Sequence, residues 1–310
     1  MSKRLVALIG ATLITCSAAI AQTTAPTTPP APAATAPAAA TPPVFTTTKV
    51  EGTDNVYIFR YQGHQSMFVV TKAGVIATDP IGLRRPQAVT TYMDEIKKVS
   101  NGQPVKYLIY SHSHYDHIAG GKPFKDAGAR IIAHKNAVAQ LKRFPSPDIV
   151  MPDEGTGDKK VIVLGGTTLE LLYVGPNHSD NSLVMRLPKE KIIFTVDFVP
   201  IQTLPFRNMP DTTNPLAWQA SLKRVAALDW DRMIPGHPYA GGRLGTKQDV
   251  NDIIGYFDDL NAEVKKFAAE GKCTDTAMKD VKLPKYEKWG NYANFLPMNV
   301  ERMCYLANGN

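Results

Sequence analysis

The sequence predicts an α/β chain built as a four-layer sandwich, with two β-sheets face to face and helices on both outer surfaces. Three observations lead there. Short apolar and β-branched runs recur from Asn55 onward, separated by glycine-containing turns. Segments with helical spacing of apolar residues follow the strands. The same plan, strands and then helices, runs twice along the chain. From Val44 some 267 residues remain, enough for one large domain.

In the first half, Asn55 to Tyr61, Ser66 to Thr71 and Gly74 to Thr78 have strand character. Pro86 opens a helix with Val89, Tyr92, Met93, Ile96 and Val99 on one face. Tyr107 to Tyr110 is a buried strand, Lys122 to Gly128 a short helix, Arg130 to Ala133 a strand and His134 to Leu141 a helix. Phe144 to Asp158 holds three prolines, two glycines and four acidic residues, and is expected to be a long loop at the rim of a site.

The second half repeats the plan. Lys160 to Leu164, Thr168 to Val174, Ser182 to Leu187 and Lys191 to Thr195 are strands. Asn214 caps a helix with Pro215 at its first position, running to Leu228. Arg232 to Ile234 is a short strand. Thr246 and Asp249 form a variant capping box for a long helix that ends at Gly271.

Chemistry concentrates in Ser111-His112-Ser113-His114-Tyr115-Asp116-His117, directly after the buried strand. Alternation aims His112 and His114 the same way, while Asp116 and His117 turn with the chain toward a second point. Three more candidates fall at strand ends or loops: His178, Asp197 and His237. Five histidines and two aspartates suit two metals with one carboxylate bridging, and zinc is the first choice for mixed nitrogen and oxygen ligands. Asp79, at a strand end before Pro80, is either a turn residue or a group that supports a ligand from behind. His64 and His134 read as structural. Phe198, Phe206, Arg207, Trp218 and Tyr239 are placed to line the mouth of the site or to pack in the core.

Residues 1–21 have a basic start at Lys3 and Arg4, an apolar stretch too short to span a membrane, and Ala19-Ile20-Ala21 before Gln22. They are expected to be a signal peptide cleaved after Ala21, directing the protein to the periplasm or outside the cell. Cys16 would leave with it. Residues 22–43 contain only Ala, Pro, Thr and Gln22, seven of them proline, and are expected to be an extended linker. The formal charge is +7, of which Lys3 and Arg4 contribute two, leaving +5 spread along the mature chain. That balance weakly favours anionic substrates and gives no nucleic-acid grip; the expected partner is a small-molecule substrate, with no stable membrane insertion once the signal peptide is cleaved. Cys273 and Cys304 then remain, an even pair of the kind that forms a disulfide in exported proteins.

On these residues the sequence resembles the metallo-β-lactamase superfamily across roughly 45–270. Its motifs are matched by Asp79; by His112, His114, Asp116 and His117; and by His178, Asp197 and His237. The resemblance implies that His112, His114 and His178 hold one metal, Asp116, His117 and His237 the other, and that Asp197 bridges. Asp79 would then orient a histidine ligand. Two signals divide within the family. Gly175 to Asn181 and Leu187 to Ile192 are similar to antibiotic-cleaving members with a cysteine ligand, but that cysteine is Asp197 here and their substrate-gripping lysine is Pro200. The full ligand set is similar to glyoxalase II, lactonases and phosphotriesterase-like hydrolases. The implied function is a dinuclear zinc hydrolase, with iron or manganese as other occupants, acting through a bridging hydroxide on a small ester, lactone, thioester or β-lactam. Asp116 and Asp197 would serve catalysis. The alternatives are a β-lactamase proper and a non-hydrolytic diiron redox or accessory protein.

Overall fold

A computed structural model describes residues 43–309 apart from 213 and 274; the expected signal peptide and all but the last residue of the expected linker lie outside them. The four layers are as expected. One sheet has seven strands in chain order: β1 (Phe45–Lys49), β2 (Val56–Tyr61), β3 (His64–Thr71), β4 (Gly74–Thr78), β5 (Val105–Ile109), β6 (Arg130–His134) and β7 (Glu154–Thr156). Its first four strands are antiparallel neighbours, and β4 to β7 run parallel. The other sheet runs β12 (Arg232–Pro235), β11 (Ile192–Val196), β10 (Leu183–Leu187), β9 (Thr167–Tyr173), β8 (Lys159–Leu164), with only β11 and β12 parallel.

Strand alternation explains the layering. Val75, Ala77, Leu108, Ile131 and Ala133 point outward, onto α1 (Pro86–Val99), where Tyr92 stacks on Phe59 at 4.5 Å. Ile76, Ile109 and Ile132 point inward, to meet Leu169, Leu171, Met185 and Phe194 of the second sheet. Val184 and Ile193 face out again, toward α5 (Pro215–Ala227) and α6 (Lys247–Ala269). Successive apolar residues on β4, β6 and β11, and the last two of β5, are buried because both faces of these strands are covered there.

Two differences from the sequence reading concern strands at the margins. The edge strand β1 was not expected, because Phe45-Thr-Thr-Thr-Lys has little alternation and is mostly exposed. The expected loop Phe144 to Asp158 contains β7, three residues long, which pairs with β6 through Ile132, Ala133 and His134. A strand that short carries no period.

Beyond α6 come α7 (Asp275–Asp280) and α8 (Tyr292–Ala307), which pack with the outer part of α6 as a separate apolar cluster of Tyr256, Leu260, Val264, Val300 and Met303. The expected Cys273–Cys304 disulfide is formed there, across a sequence separation of 31. Among the described residues, no helix is long and apolar enough to cross a membrane.

Candidate metal centre

The candidate ligands all sit where strands end or begin. The parallel pairing Thr78↔Ile109 brings Asp79, just past β4, beside Ser111, just past β5; Ser111 N donates to Asp79 Oδ1 at 2.8 Å. The histidine motif then divides. His112 and His114 lie on the loop, while Asp116 and His117 ride on the single-turn helix α2 (Tyr115–Ile118). Asn181 fixes the loop, accepting from Ser113 N at 2.8 Å and donating to Ser113 Oγ at 3.1 Å. In the second sheet, the parallel pairing Val196↔Pro235 places Asp197 against Gly236 and His237. Val196 is held at φ +50, an uncommon conformation for a β-branched residue, directly before Asp197. A Cβ on Gly236 would lie 2.6 Å from Val196 Cγ1 and 3.0 Å from His117 Cε1, so only glycine lets the two strand ends approach.

The structure brings all seven candidate ligands together in two groups with ligand atoms close enough to share an ion. One is His112, His114, His178 and Asp197; the other is His64, Asp116, His117 and His237. Asp197 reaches both. Its Oδ2 lies 3.1 Å from His117 Nε2, 3.5 Å from His178 Nε2 and 3.8 Å from His112 Nε2, and its Oδ1 lies 3.1 Å from His237 Nε2.

The far nitrogens of three of these rings have partners of their own, and that of a fourth faces a carboxylate. His112 Nδ1 meets Ser111 Oγ at 2.8 Å, and His237 Nδ1 meets the Gly63 carbonyl at 2.6 Å. His114 Nε2 lies 3.2 Å from Asp211 Oδ2, leaving its Nδ1 3.0 Å from His178 Nε2. His117 Nδ1 faces Asp79 Oδ2 at 3.8 Å, within reach of charge attraction and beyond a hydrogen bond. So each ring is held from outside and offers its other nitrogen inward, the arrangement that fixes a histidine for a metal. His112 Nε2 and Asp197 Oδ1 are buried with no hydrogen-bond partner. Orphaned polar atoms of this kind are costly, and two cations would satisfy both. The donor set fits two borderline ions.

Electrostatics agree. Burial, then the neighbouring imidazoles, hold His112 well below the usual histidine range, and burial brings His178 down to about 4. Both rings are therefore neutral and able to ligate at neutral pH. Burial opposes charge on His117 too, but Asp197 and Asp116 outweigh it and push it up to about 10. Three carboxylates thus demand positive charge at that point, which a metal supplies as well as a proton does. Burial raises Asp79 to about 6 against the pull of His117.

Two site residues were missed by the sequence reading. His64, taken as structural, opens β3 and sets Nε2 3.0 Å from Asp116 Oδ2, while Arg85 Nη1 lies 2.5 Å from its Nδ1. Asp211 had no motif to mark it. His134 is structural as expected: its Nδ1 caps α4 (Lys135–Arg143), and its ring stacks on Tyr173 at 4.2 Å. Of the aromatic residues considered for the mouth, Phe206, Trp218 and Tyr239 line the cavity, and Phe198 is core. The cavity holds about 750 Å³.

A family model described as the metallo-β-lactamase superfamily matches residues 85–237. The chain belongs to the metallo-β-lactamase superfamily. As a superfamily member it is a metal-dependent hydrolase. It is 28% identical over 247 residues to the 2,4-dinitroanisole O-demethylase subunit alpha of Nocardioides sp. (strain JS1661), covering 74% of this chain and 72% of that protein. It is 24% identical over 241 residues to the linear primary-alkylsulfatase of Pseudomonas sp. (strain ATCC 19151), covering 61% of this chain but only 45% of that longer protein. The solved DIM-1 metallo-beta-lactamase shares the fold, with a TM-score of 0.58 at 21% identity, over 70% of this chain and 98% of its own. The superfamily match ends at His237, so α6, α7 and α8 lie beyond it.

Proposed function

We propose that this chain is an exported dinuclear zinc hydrolase that cleaves a small ester, lactone or thioester. One observation carries the reading: two groups of inward-facing imidazole and carboxylate atoms share Asp197. His112, His114 and His178 would hold one ion, Asp116, His117 and His237 the other, and Asp197 would join them. Two divalent ions in these positions supply Lewis acidity toward a substrate oxygen and bring a water toward deprotonation near neutral pH.

The chain's own residues do the rest. Ser111, Asp211, Asp79 and Gly63 hold four rings in register, so the ligand geometry is set before substrate arrives. Burial opposes ionisation of Asp116, but His117 and the hydrogen bond from His64 hold its carboxyl well below the usual range. Its carboxylate lines the cavity and is placed to orient the attacking water and to pass a proton to the leaving group. Burial, with Asp197 and Asp116, keeps the Tyr239 hydroxyl protonated, and Tyr239 lines the same cavity.

A serine nucleophile is not needed. Ser111 Oγ is buried against His112 and does not line the cavity, Ser113 Oγ accepts from Asn181, and Ser179 Oγ pairs with Ser182 Oγ. Export is supported by the character of residues 1–21 and by the disulfide. Metal analysis with a panel of esters, lactones, thioesters, phosphotriesters and nitrocefin tests the reading. Two zinc ions per chain with ester or lactone turnover is the expected result. A single metal, or iron with a visible redox spectrum and no hydrolysis, would sink it.

A further inference from the structure

The cavity divides into two parts of different character. Around the metal centre it is lined by histidine and aspartate side chains. Away from it Leu83, Leu141, Phe144, Leu204, Phe206 and Phe295 line it, with the uncharged polar Gln140, Thr203 and Asn291 among them. No lysine or arginine is among the lining residues. Arg85 stands behind His64, its donors turned to His64 Nδ1 and to the carbonyls of Ile81 and Asp116. The position where a substrate-gripping lysine was sought is Pro200, itself part of the lining.

One part of the apolar wall comes from beyond the superfamily match and is tied to a loop within it. Phe295 comes from α8 and meets Phe206 edge-to-face at 5.5 Å. The loop bearing Leu204 and Phe206 is tied to that helix region. Leu204 N donates to the Gly290 carbonyl at 3.1 Å, and the buried Asn299 donates to the carbonyls of Pro205, at 3.0 Å, and Arg207. Tyr256 OH in turn donates to Asn299 Oδ1 at 2.7 Å. Phe206 is held in place by these bonds yet remains about half exposed, as does Phe144 across the lining. Aromatic side chains fixed at a cavity mouth and left in water are the ordinary mark of a surface that an apolar ligand covers.

Resting on the hydrolase reading, we infer that the substrate is an ester whose long apolar chain lies along Leu204, Phe206 and Phe295. The Arg207 guanidinium lies 4.9 Å from the Phe206 ring centroid and the Arg143 guanidinium 5.2 Å from that of Phe144, while neither arginine is among the lining residues, so the wall itself offers apolar contact.

Two measurements on the zinc-loaded full-length mature protein test this. Across p-nitrophenyl acetate, butyrate, hexanoate and octanoate, kcat/KM should rise roughly two- to fourfold per added methylene. Phe295→Ala should lower the octanoate-to-acetate ratio. Calorimetric titration compares 2-decanone with 2-butanone, which carries the same methyl ketone on a much shorter chain. The longer ketone should bind at least tenfold more tightly, and Phe295→Ala or Phe206→Ala should weaken it. A flat chain-length series, or equal binding of the two ketones, overturns the inference while leaving the hydrolase reading intact. A two-zinc protein that hydrolyses no ester, lactone or lactam sinks the hydrolase reading, and the ketone titration still decides the apolar subsite by itself.

Discussion

His64 Nε2 lies 3.0 Å from Asp116 Oδ2, and the proton between them belongs to the imidazole. The other ring nitrogen, Nδ1, is 2.5 Å from Arg85 Nη1. A guanidinium can only donate, so Nδ1 accepts and the single proton of a neutral ring sits on Nε2. The ring is neutral, because burial brings His64 down to about 4 despite its bond to Asp116. Arg85 also donates to the Asp116 carbonyl at 3.0 Å, so one arginine grips the α2 turn at two points. His64 thus supports a metal-binding carboxylate from outside and does not itself offer Nε2 to an ion. His64→Ala should therefore lower zinc affinity at the Asp116, His117, His237 site by about ten- to a hundredfold while sparing the other site. Chelator competition with stepwise zinc release measures it. Unchanged release of both ions would refute this role.

Gly236 gives a second test, because it acts through space alone. Its added methyl would press on Val196 Cγ1, Asp197 Oδ1 and His117 Cε1 at once. All three belong to the rigid junction of β11, β12 and α2. Gly236→Ala should cost about 1–3 kcal/mol of stability by overpacking and reduce bound zinc below two per chain. A variant with wild-type melting and full metal content would show that the junction is softer than these contacts imply.

How much of this was legible in the sequence depends on the kind of signal. The ligands at His112, His114, Asp116 and His117 are local in sequence, so spacing alone exposed them. His178, Asp197 and His237 were legible because each follows a strand-like run, and for Asp197 and His237 parallel pairing returns the strand ends to one edge. His64 begins a strand, after a glycine turn, and nothing in its neighbours distinguishes it from a solvated histidine. Only the pairing Tyr61↔His64 and the approach of α2 reveal its role. Asp211 reaches His114 from a loop with no regular structure, where no period exists to read. A positive hint was available for Arg85, which sits just before the helix-opening Pro86, but its contacts run to a carbonyl and a ring that are remote in sequence.

Away from the centre, α6 supplies a pH-dependent prediction. Asp249 completes the capping box with Thr246, whose backbone N–H it accepts at 2.7 Å, and it also accepts from Arg243 Nη1 at 2.9 Å. Burial opposes its charge, but these partners hold the carboxyl below the usual range. A folded-state value below the unfolded one means that the stabilisation is present above roughly pH 4 and fades as pH falls through that range. Asp249→Asn should thus destabilise by about 1–2 kcal/mol near neutrality. The gap between variant and wild type, followed by urea denaturation of zinc-free protein, should close in acid. A gap that persists below pH 3 would mean that the carboxylate charge contributes nothing.

The disulfide makes the last prediction, because it separates the metal centre from the wall that shapes its cavity. Cys273 and Cys304 tie the segment after α6 to α8 across 31 positions. Closing a loop of that length contributes about 3–4 kcal/mol on the chain-entropy account, or roughly 5–15 °C in melting temperature for a domain of this size. Neither cysteine is near the ligands, which stand on β-strand ends and on α2. On α8, however, the same helix carries Phe295 and Asn299, and these shape the apolar wall and anchor the loop bearing Phe206. Cys304→Ser should therefore lower the melting temperature and weaken 2-decanone binding, yet retain two zinc ions. Melting by circular dichroism, ketone titration and metal analysis on one preparation separate these effects. Loss of zinc on removing the bridge would show that α8 supports the centre directly, and unchanged ketone binding would show that the wall stands without it.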